Sequence, residues 1–251
     1  MFIDTHCRLS VEDYDDIDEV INDNRKAGIE KIIISGCTKE SIIESLELSK
    51  KYDDIFVTIG YHPSEAKIIL NSDISDLEKH LIDDKVVGIG EIGLDYHYGK
   101  DDIDLQKELF KKQLDLAIEY KLPVVIHSRD ATLDTINILK EYPDVIGDIH
   151  CFSGSVETAR QYINMGYYLG IGGVVTFTNS NLSNVVKEIG IDNIVFETDS
   201  PYLTPVPFRG KKNSSKYIPY ICKKVAETLG EDEDMVAKKV LDNTYNLFDL
   251  K

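Results

Sequence analysis

Six histidine and acidic side chains stand at the ends of short apolar runs in this sequence, and their types are those that bind divalent metal ions. They are His6, His62, Glu91, His127, His150 and Asp199. Imidazole nitrogens and carboxylate oxygens together suit Zn²⁺, Mn²⁺ or Mg²⁺, and the number of nitrogens favours Zn²⁺. A bound ion of this kind lowers the pKa of a coordinated water to about 7, and two ions roughly 3.5–4 Å apart stabilise both ends of a displacement. Asp199 is then suited to accept the proton of that water.

A structural role is the simpler interpretation for any one of these histidines, because a histidine at a strand end is more often packed than bound to metal. The two remaining histidines lack the pattern. His80, in LEKHLIDD, is typical of a helix surface, and His97, in LDYHYGKD, lies in a predicted loop. The first group stands on the same side of its predicted strands throughout, so we expect its members to act together.

Apolar runs alternate with longer amphipathic stretches along the whole chain. The predicted strands are FID near residue 2 and residues 31–35, 55–60, 86–91, 123–127, 145–150, 167–172 and 193–198, with helical patterns over 16–28, 105–120 and 155–166. Such a repeat of about eight strand–helix units predicts a single-domain α/β protein over residues 1–251, a (β/α)₈ TIM-type barrel. A doubly wound open sheet is the competing interpretation. In a barrel the carboxyl ends of the strands form the active-site face, where the six side chains would converge.

One glycine pattern points to a different chemistry. Gly88, Gly90 and Gly93, in GIGEIG, match the G-x-G-x-x-G fingerprint of dinucleotide sites. That site needs a helix to begin at the glycines. The sequence that follows, LDYHYGKDD, is typical of a loop, and Glu91 would lie inside the phosphate cradle. The pattern therefore favours a metal site over a dinucleotide site.

The charge and composition restrict the partners. The net charge is −17, whereas a protein that binds nucleic acid by long-range charge should have a basic face. Any phosphate substrate must therefore be bound locally. No apolar run approaches the roughly 18 residues of a membrane span, and the N-terminus has no signal-peptide pattern. The four cysteines include no C-x-x-C pair and read as reduced thiols. We expect a cytoplasmic protein without membrane contact, and a monomer.

Taken together, the motifs resemble those of the TatD family of metal-dependent deoxyribonucleases, within the amidohydrolase-type barrels. The matching stretches are IDTHC (3–7), GYHP (60–63), GEIGLDY (90–96), IHSRDA (126–131), HCFSG (150–154), ETDSPYLTPVPFRGKKN (197–213) and NTYNLF (243–248). They span almost the whole chain in the family's order. The segment ETDSPYL followed by P-x-P-x-R-G is specific, and the whole set is more so.

The resemblance implies a role for each matching residue. It implies that Glu91 bridges two metal sites, that His127 and His150 complete one, and that His6 and Asp199 belong to the other. It further implies contacts between the substrate phosphate and His62 and Arg129. A substrate-facing loop would supply local positive charge from Arg209, Lys211 and Lys212, although simple solvation is an equal alternative for these three side chains.

The sequence departs from the family pattern at two positions. The family usually has H-x-H where this chain has His6 followed by Arg8, and a further histidine often stands at the position of Ser64. Arginine stays protonated and cannot bind a metal. Three outcomes are open: Arg8 replaces the charge of one ion by pairing with Asp199 or a substrate phosphate, a second ion binds weakly, or the enzyme is impaired. Our hypothesis is the first, with one tightly held ion near His127 and His150.

The resemblance thus predicts hydrolysis of phosphodiester bonds in DNA, in single-stranded DNA or at a free end, by 3′–5′ exonuclease action. One or two divalent ions per chain, of Zn²⁺, Mg²⁺ or Mn²⁺, would activate the water. Two alternatives remain. The first is a small-molecule ester, lactone or amide hydrolase of the same superfamily, and the second is a binding protein that has lost catalysis through Arg8.

Overall fold

The computed structural model describes residues 1–99 and 101–250, and over these ranges strands alternate with helices. The strands are β1 (Phe2–Cys7), β2 (Ile29–Gly36), β3 (Ile55–Ile59), β4 (Val86–Asp95), β5 (Val124–Arg129), β6 (Gly147–Ile149), β7 (Tyr168–Ile171) and β8 (Ile194–Phe196). The helices are α1 (Ile17–Lys26), α2 (Lys39–Lys51), α3 (Asn71–Glu78), α4 (Ile103–Tyr120), α5 (Thr132–Glu141), α6 (Val156–Asn164), α7 (Leu182–Ile189), α8 (Ile218–Leu229) and α9 (Glu233–Phe248). None of these helices is long and apolar enough to cross a membrane.

The strands form one sheet in the order β1-β2-β3-β4-β5-β6-β7-β8. The two ends of this order meet, because β8 runs beside β1. The amide groups of Thr198 and Asp199 donate to the His6 carbonyl at 3.3 and 3.0 Å, and Thr5 Oγ1 donates to the Phe196 carbonyl at 3.1 Å. The fold is therefore the (β/α)₈ barrel that the sequence predicts.

By contact density the chain divides into two compact units, Met1–Ile34 with Cys151–Lys251, and Ser35–His150. In the first unit β1 pairs with β2 and β7 pairs with β8, all parallel. In the second unit the parallel pairs are β3–β4, β4–β5 and β5–β6. The expectation of a single domain stays a prediction.

Local sequence signals explain where the helices begin and end. Asp16 precedes α1, and its side chain accepts from the Glu19 amide at 2.9 Å, which caps the free N–H groups of the first turn. Gly28 and Gly166 follow the ends of α1 and α6 and have φ of 85° and 89°, a conformation that glycine adopts without steric cost. All ten residues of β4 are buried, as expected for a parallel strand covered on both faces.

Two strands run past the residues that the sequence places at their ends. β4 continues beyond Glu91 to Asp95, and β5 continues beyond His127 to Arg129. The strands pair with each other up to these ends, where Asp95 lies opposite Arg129. The prediction that Glu91 and His127 end their strands is thus wrong, because ladder pairing carries both strands further. His80 lies in a turn just past α3, not on the helix.

The glycine fingerprint serves strand packing. The next helix, α4, begins only at Ile103, as the loop-like sequence predicts. A Cβ at Gly90 would lie 2.6 Å from the Val125 side chain, and one at Gly93 would lie 2.0 Å from the His127 carbonyl oxygen. These glycines therefore let β4 and β5 approach closely.

Candidate metal centre

Three imidazole rings surround one buried carboxylate oxygen in the second unit. Glu91 is 1% exposed. Its Oε1 lies 2.8 Å from His127 Nδ1, 3.8 Å from His150 Nε2 and 3.9 Å from His62 Nε2. The sequence predicts that these four side chains act together, and the structure brings them together around Oε1.

The backbone of β4 and β5 places the two central members of this cluster. The pairing of β4 with β5 shifts register between Ile89 and Ile92, which bracket Glu91, and such irregularities re-aim side chains next to active sites. Gly93 lies opposite His127 with φ 141°, a conformation that favours glycine. His150 follows β6, and its amide donates to the Ile126 carbonyl at 3.0 Å, which ties it to β5.

A second carboxylate, that of Asp95, contacts the His127 ring nitrogen that faces away from Glu91. Asp95 Oδ2 lies 3.0 Å from His127 Nε2, and Asp95 Oδ1 accepts from the His97 amide at 2.9 Å. Burial raises the pKa of Asp95, but its hydrogen bonds to His127 and His97 outweigh this and hold the pKa below its usual value. Burial likewise lowers the pKa of His127, and hydrogen bonds to Asp95 and Glu91 raise it on balance. Asp95 therefore favours the tautomer with a proton on Nε2.

His62 is oriented by the turn that follows it. The Ser64 amide donates to His62 Nδ1 at 3.1 Å, and Ser64 Oγ lies 2.8 Å from the same nitrogen. Since Nδ1 accepts, the proton of the neutral ring lies on Nε2, the nitrogen that faces Glu91. The ring packs edge-on against His127, with centroids 4.5 Å apart. Ser64, which stands where the family often has a histidine, thus orients His62.

In the first unit, His6 and Asp199 form a smaller group. His6 is fully buried, and its Nε2 lies 3.9 Å from Asp199 Oδ1. Asp199 has φ 51°, in the left-handed region, and its amide donates to the His6 carbonyl. Behind them, the buried carboxylate of Asp4 accepts from the amide and hydroxyl of Thr198 at 3.0 and 2.6 Å. Burial raises the pKa of Asp4 to about 7.

Arg8 lies one residue past β1 in the same unit. Its amide donates to the Ser200 carbonyl at 2.8 Å, which places its backbone beside the segment that carries Asp199. The side chain is half-buried. Pairing of Arg8 with Asp199 or with a phosphate stays a prediction.

The expected substrate-binding cations occupy exposed positions. Arg129 ends β5, with its guanidinium 5.5 Å from the centre of the Tyr98 ring. In the loop after β8, Arg209 lies 4.2 Å from the centre of the Phe177 ring and donates to the Thr204 carbonyl. The two lysines of this loop also lie against aromatic rings, with Lys211 over Phe208 and Lys212 over Tyr14.

Sequence reasoning assigned no role to three buried carboxylates in the matching motifs, those of Asp4, described above, and of Asp95 and Glu197. Asp95 stands four positions after Glu91 on one strand, so the period of two puts both side chains on one face, a signal that could have identified it. Glu197 is fully buried, and its Oε1 accepts from the Cys151 amide at 2.7 Å. A Cβ at Gly170 would lie 2.3 Å from Glu197 Oε2, so β7 carries glycine there to admit the carboxylate.

The donor set of the second unit fits a divalent cation. Glu91 Oε1 lies 2.8 Å from His127 Nδ1 and 3.8 Å from His150 Nε2, so one buried carboxylate oxygen and two imidazole nitrogens lie close together. Imidazole with carboxylate is the donor set that Zn²⁺ and Mn²⁺ accept. A metal-bound histidine usually donates its other N–H to a carboxylate, and Asp95 occupies that position toward His127.

The chain matches known proteins over its full length. Residues 3–249 match the model of the TatD related DNase family. The uncharacterized metal-dependent hydrolase YabD of Bacillus subtilis is 42% identical over 252 residues, which cover 99% of both chains. The solved structure of the TatD homologue YjjV of Escherichia coli superposes with a TM-score of 0.91 at 30% identity, over 100% of this chain and 98% of that one. A TatD family hydrolase from Entamoeba histolytica gives a TM-score of 0.89 at 26% identity, over 100% and 98%. This protein therefore belongs to the family of TatD-related DNases.

Proposed function

We propose that this protein is a metal-dependent hydrolase that cleaves phosphodiester bonds of DNA, and that it releases nucleotides from a 3′ end. The observation that carries the proposal is the buried Glu91 carboxylate with imidazole nitrogens of His62, His127 and His150 around one of its oxygens. The membership in a family named for deoxyribonucleases and the names of relatives as metal-dependent hydrolases support it.

Each side chain has a part in this proposal. Glu91, His127 and His150 would hold one tightly bound divalent ion. His6 and Asp199 would supply donors at the second site, where the Arg8 guanidinium would replace the charge of an ion. A divalent ion lowers the pKa of water and polarises a phosphoryl oxygen. Asp199 accepts the proton of the attacking water.

Two further side chains act on the phosphate itself. His62 carries its proton on Nε2 and donates it to a phosphate oxygen or to the leaving group. Arg129, with five N–H donors and a permanent charge, stabilises the negative charge that develops on the phosphoryl oxygens.

The net charge of −17 has to be reconciled with a polyanionic substrate. The exposed cations of the β8–α8 loop, Arg209, Lys211 and Lys212, lie against aromatic rings. A basic groove with aromatic side chains is the usual surface for single-stranded nucleic acid. Binding through so few cations depends only weakly on salt compared with a broad basic face.

The decisive measurement is nucleotide release from 3′-labelled single-stranded DNA in the presence of Mg²⁺ or Mn²⁺. The His127→Ala protein serves as the blank. His80→Ala is a matched control, because His80 lies in a turn past α3 and takes no part in the cluster. We expect metal-dependent release by the wild type and by His80→Ala, and none above background by His127→Ala.

Circular single-stranded DNA tests whether a free end is required, since an exonuclease leaves it intact. Absence of release from folded, metal-loaded wild-type protein would refute the nuclease. The small-molecule alternative, which the acidic charge balance favours, is then tested with a panel of esters and lactones under the same metal conditions.

A further inference from the structure

Tyr98 is a large aromatic side chain held in water at the edge of the candidate metal centre. It is 85% exposed, and it lies in the loop between β4, which carries Glu91 and Asp95, and α4. Burial does not explain its position. An exposed aromatic ring forgoes the favourable free energy that burial of its apolar surface would provide. The exposure of Tyr98 therefore points to a role other than core packing.

Two neighbours hold the Tyr98 ring in place. The His97 ring packs edge-on against it, with centroids 4.9 Å apart at 84°, and the Arg129 guanidinium lies 5.5 Å from its centre. His97 is itself fixed, because its amide donates to Asp95 Oδ1 and its Nδ1 lies 3.1 Å from Asp130 Oδ2. The ring is thus positioned relative to the metal centre through Asp95.

Tyr98 also lines a cavity of about 300 Å³ that reaches the centre. The wall includes His62, Asp95, Tyr98, Lys67, Asp101 and Asp102. This volume lies at the lower end of the range for small-ligand sites. Among the described residues of the wall, the Lys67 ammonium is paired with Asp102 at 3.7 Å, and the three carboxylates of Asp95, Asp101 and Asp102 outnumber it and repel a phosphate. Such a wall favours a neutral group rich in N–H or O–H donors.

We infer that this cavity binds the nucleoside of the terminal nucleotide, with the base stacked on Tyr98 and its amino and hydroxyl groups donating to the carboxylates of the wall. The inference rests on the proposed nuclease function and names its nucleoside subsite. Charge decides which part of the nucleotide binds where. Arg129 and the metal centre bind the negatively charged phosphate, and the acidic cavity binds the uncharged nucleoside. Stacking on an aromatic face tolerates every base, because each base has a π-face. The subsite therefore provides affinity for a base without selecting its sequence.

The test uses the full-length, metal-loaded protein and a single-stranded oligonucleotide with a non-hydrolysable 3′-terminal linkage. Its 3′-terminal base is 2-aminopurine, whose fluorescence falls when the base stacks. A second oligonucleotide has a tetrahydrofuran abasic residue at the same position and an internal dye for anisotropy. The proteins compared are wild type, Tyr98→Phe, Tyr98→Ala and the control Tyr120→Ala. Tyr120 lies at the carboxyl end of α4, and its hydroxyl donates a hydrogen bond to the Glu78 carboxylate. It does not line the cavity.

We expect fluorescence quenching with wild type, Tyr98→Phe and Tyr120→Ala. Tyr98→Ala should lose the quenching and bind the 2-aminopurine oligonucleotide about tenfold more weakly. All four proteins should bind the abasic oligonucleotide with equal affinity, because no base is present to stack.

The subsite would be overturned, and the nuclease left intact, if wild type and Tyr98→Ala bound each oligonucleotide with the same affinity and neither protein quenched the fluorescence. Hydrolysis absent in the nuclease assay but quenching present here would refute the nuclease alone. Binding of neither oligonucleotide would overturn both.

Discussion

Asp95 and Glu91 lie on opposite sides of the His127 ring: Asp95 Oδ2 is 3.0 Å from Nε2, and Glu91 Oε1 is 2.8 Å from Nδ1. Both carboxylates come from β4 and the imidazole from β5, so the pairing of two strands sets all three positions. With its Nε2 proton donated to Asp95, a neutral His127 ring would have its Nδ1 lone pair available to the proposed ion. Asp95 would thus orient a ligand.

Replacing Asp95 should weaken metal binding without unfolding the protein. We expect Asp95→Ala to lower the affinity for Zn²⁺ or Mn²⁺ by about 10- to 100-fold, the usual effect of losing an outer partner of a ligating histidine. The metal affinity of Asp95→Asn should lie between those of the wild type and Asp95→Ala, because the amide oxygen of asparagine still accepts a hydrogen bond. Calorimetric titration of the metal-free proteins measures this. Asp130→Ala is the control, since Asp130 pairs with the exposed His97 instead; an equal loss in that variant would contradict the orienting role.

Glu91 should be indispensable for hydrolysis and dispensable for folding. Glu91→Ala removes the oxygen around which three imidazole nitrogens lie, so the loss of metal affinity should exceed the roughly 100-fold upper range for outer partners. Nucleotide release should fall to the level of the His127→Ala blank. Metal analysis, the release assay and circular dichroism report the three properties. Unchanged turnover by a folded variant would refute the assignment of the site.

The position of Arg8 decides how many ions the chain holds. We expect one tightly bound ion in the wild type, because a guanidinium supplies positive charge but no lone pair. Arg8→His should raise the content toward two ions per chain by adding an imidazole donor. Elemental analysis after gel filtration gives the ratio. Two tight equivalents in the wild type, or an unaltered ratio in Arg8→His, would contradict this account.

Gly93 should be required for stability because a larger side chain would clash with β5, in addition to the cost of its positive φ angle. A Cβ there would lie 2.0 Å from the His127 carbonyl oxygen, so Gly93→Ala must separate β4 from β5 and should lower the free energy of unfolding by at least about 2 kcal/mol. Gly99 is a matched control: its φ of 146° is similar to the 141° of Gly93, but a Cβ there meets nothing within 4 Å. Gly99→Ala should therefore show only the smaller cost of the positive φ. Urea unfolding of both variants measures the difference, and equal losses would mean that φ alone sets the cost.

Much of this protein could be predicted from the order of residue types along the chain. Apolar runs of strand length, each followed by an amphipathic helix, define the (β/α)₈ class because parallel strands must be covered on both faces. The sequence also groups His62, Glu91, His127 and His150, which the structure places around one carboxylate oxygen in the second unit. Their positions after or within parallel strands bring such side chains to one edge whatever the details of packing.

The sequence by itself thus determined the fold class and the family, and it predicts the types of the metal ligands. The tertiary structure decided how the side chains face one another. The ends of β4 and β5 depend on hydrogen bonding between strands that are distant in sequence. Because that pairing continues past Glu91 and His127, both residues lie inside their strands, and Asp95 lies within hydrogen-bond distance of His127 Nε2. The tautomer of His62 depends on the Ser64 amide, a backbone group that carries no sequence signal of its own. The acidic cavity beside Tyr98 depends on where the β4–α4 loop lies against the turn after β3, because no single segment contains its wall.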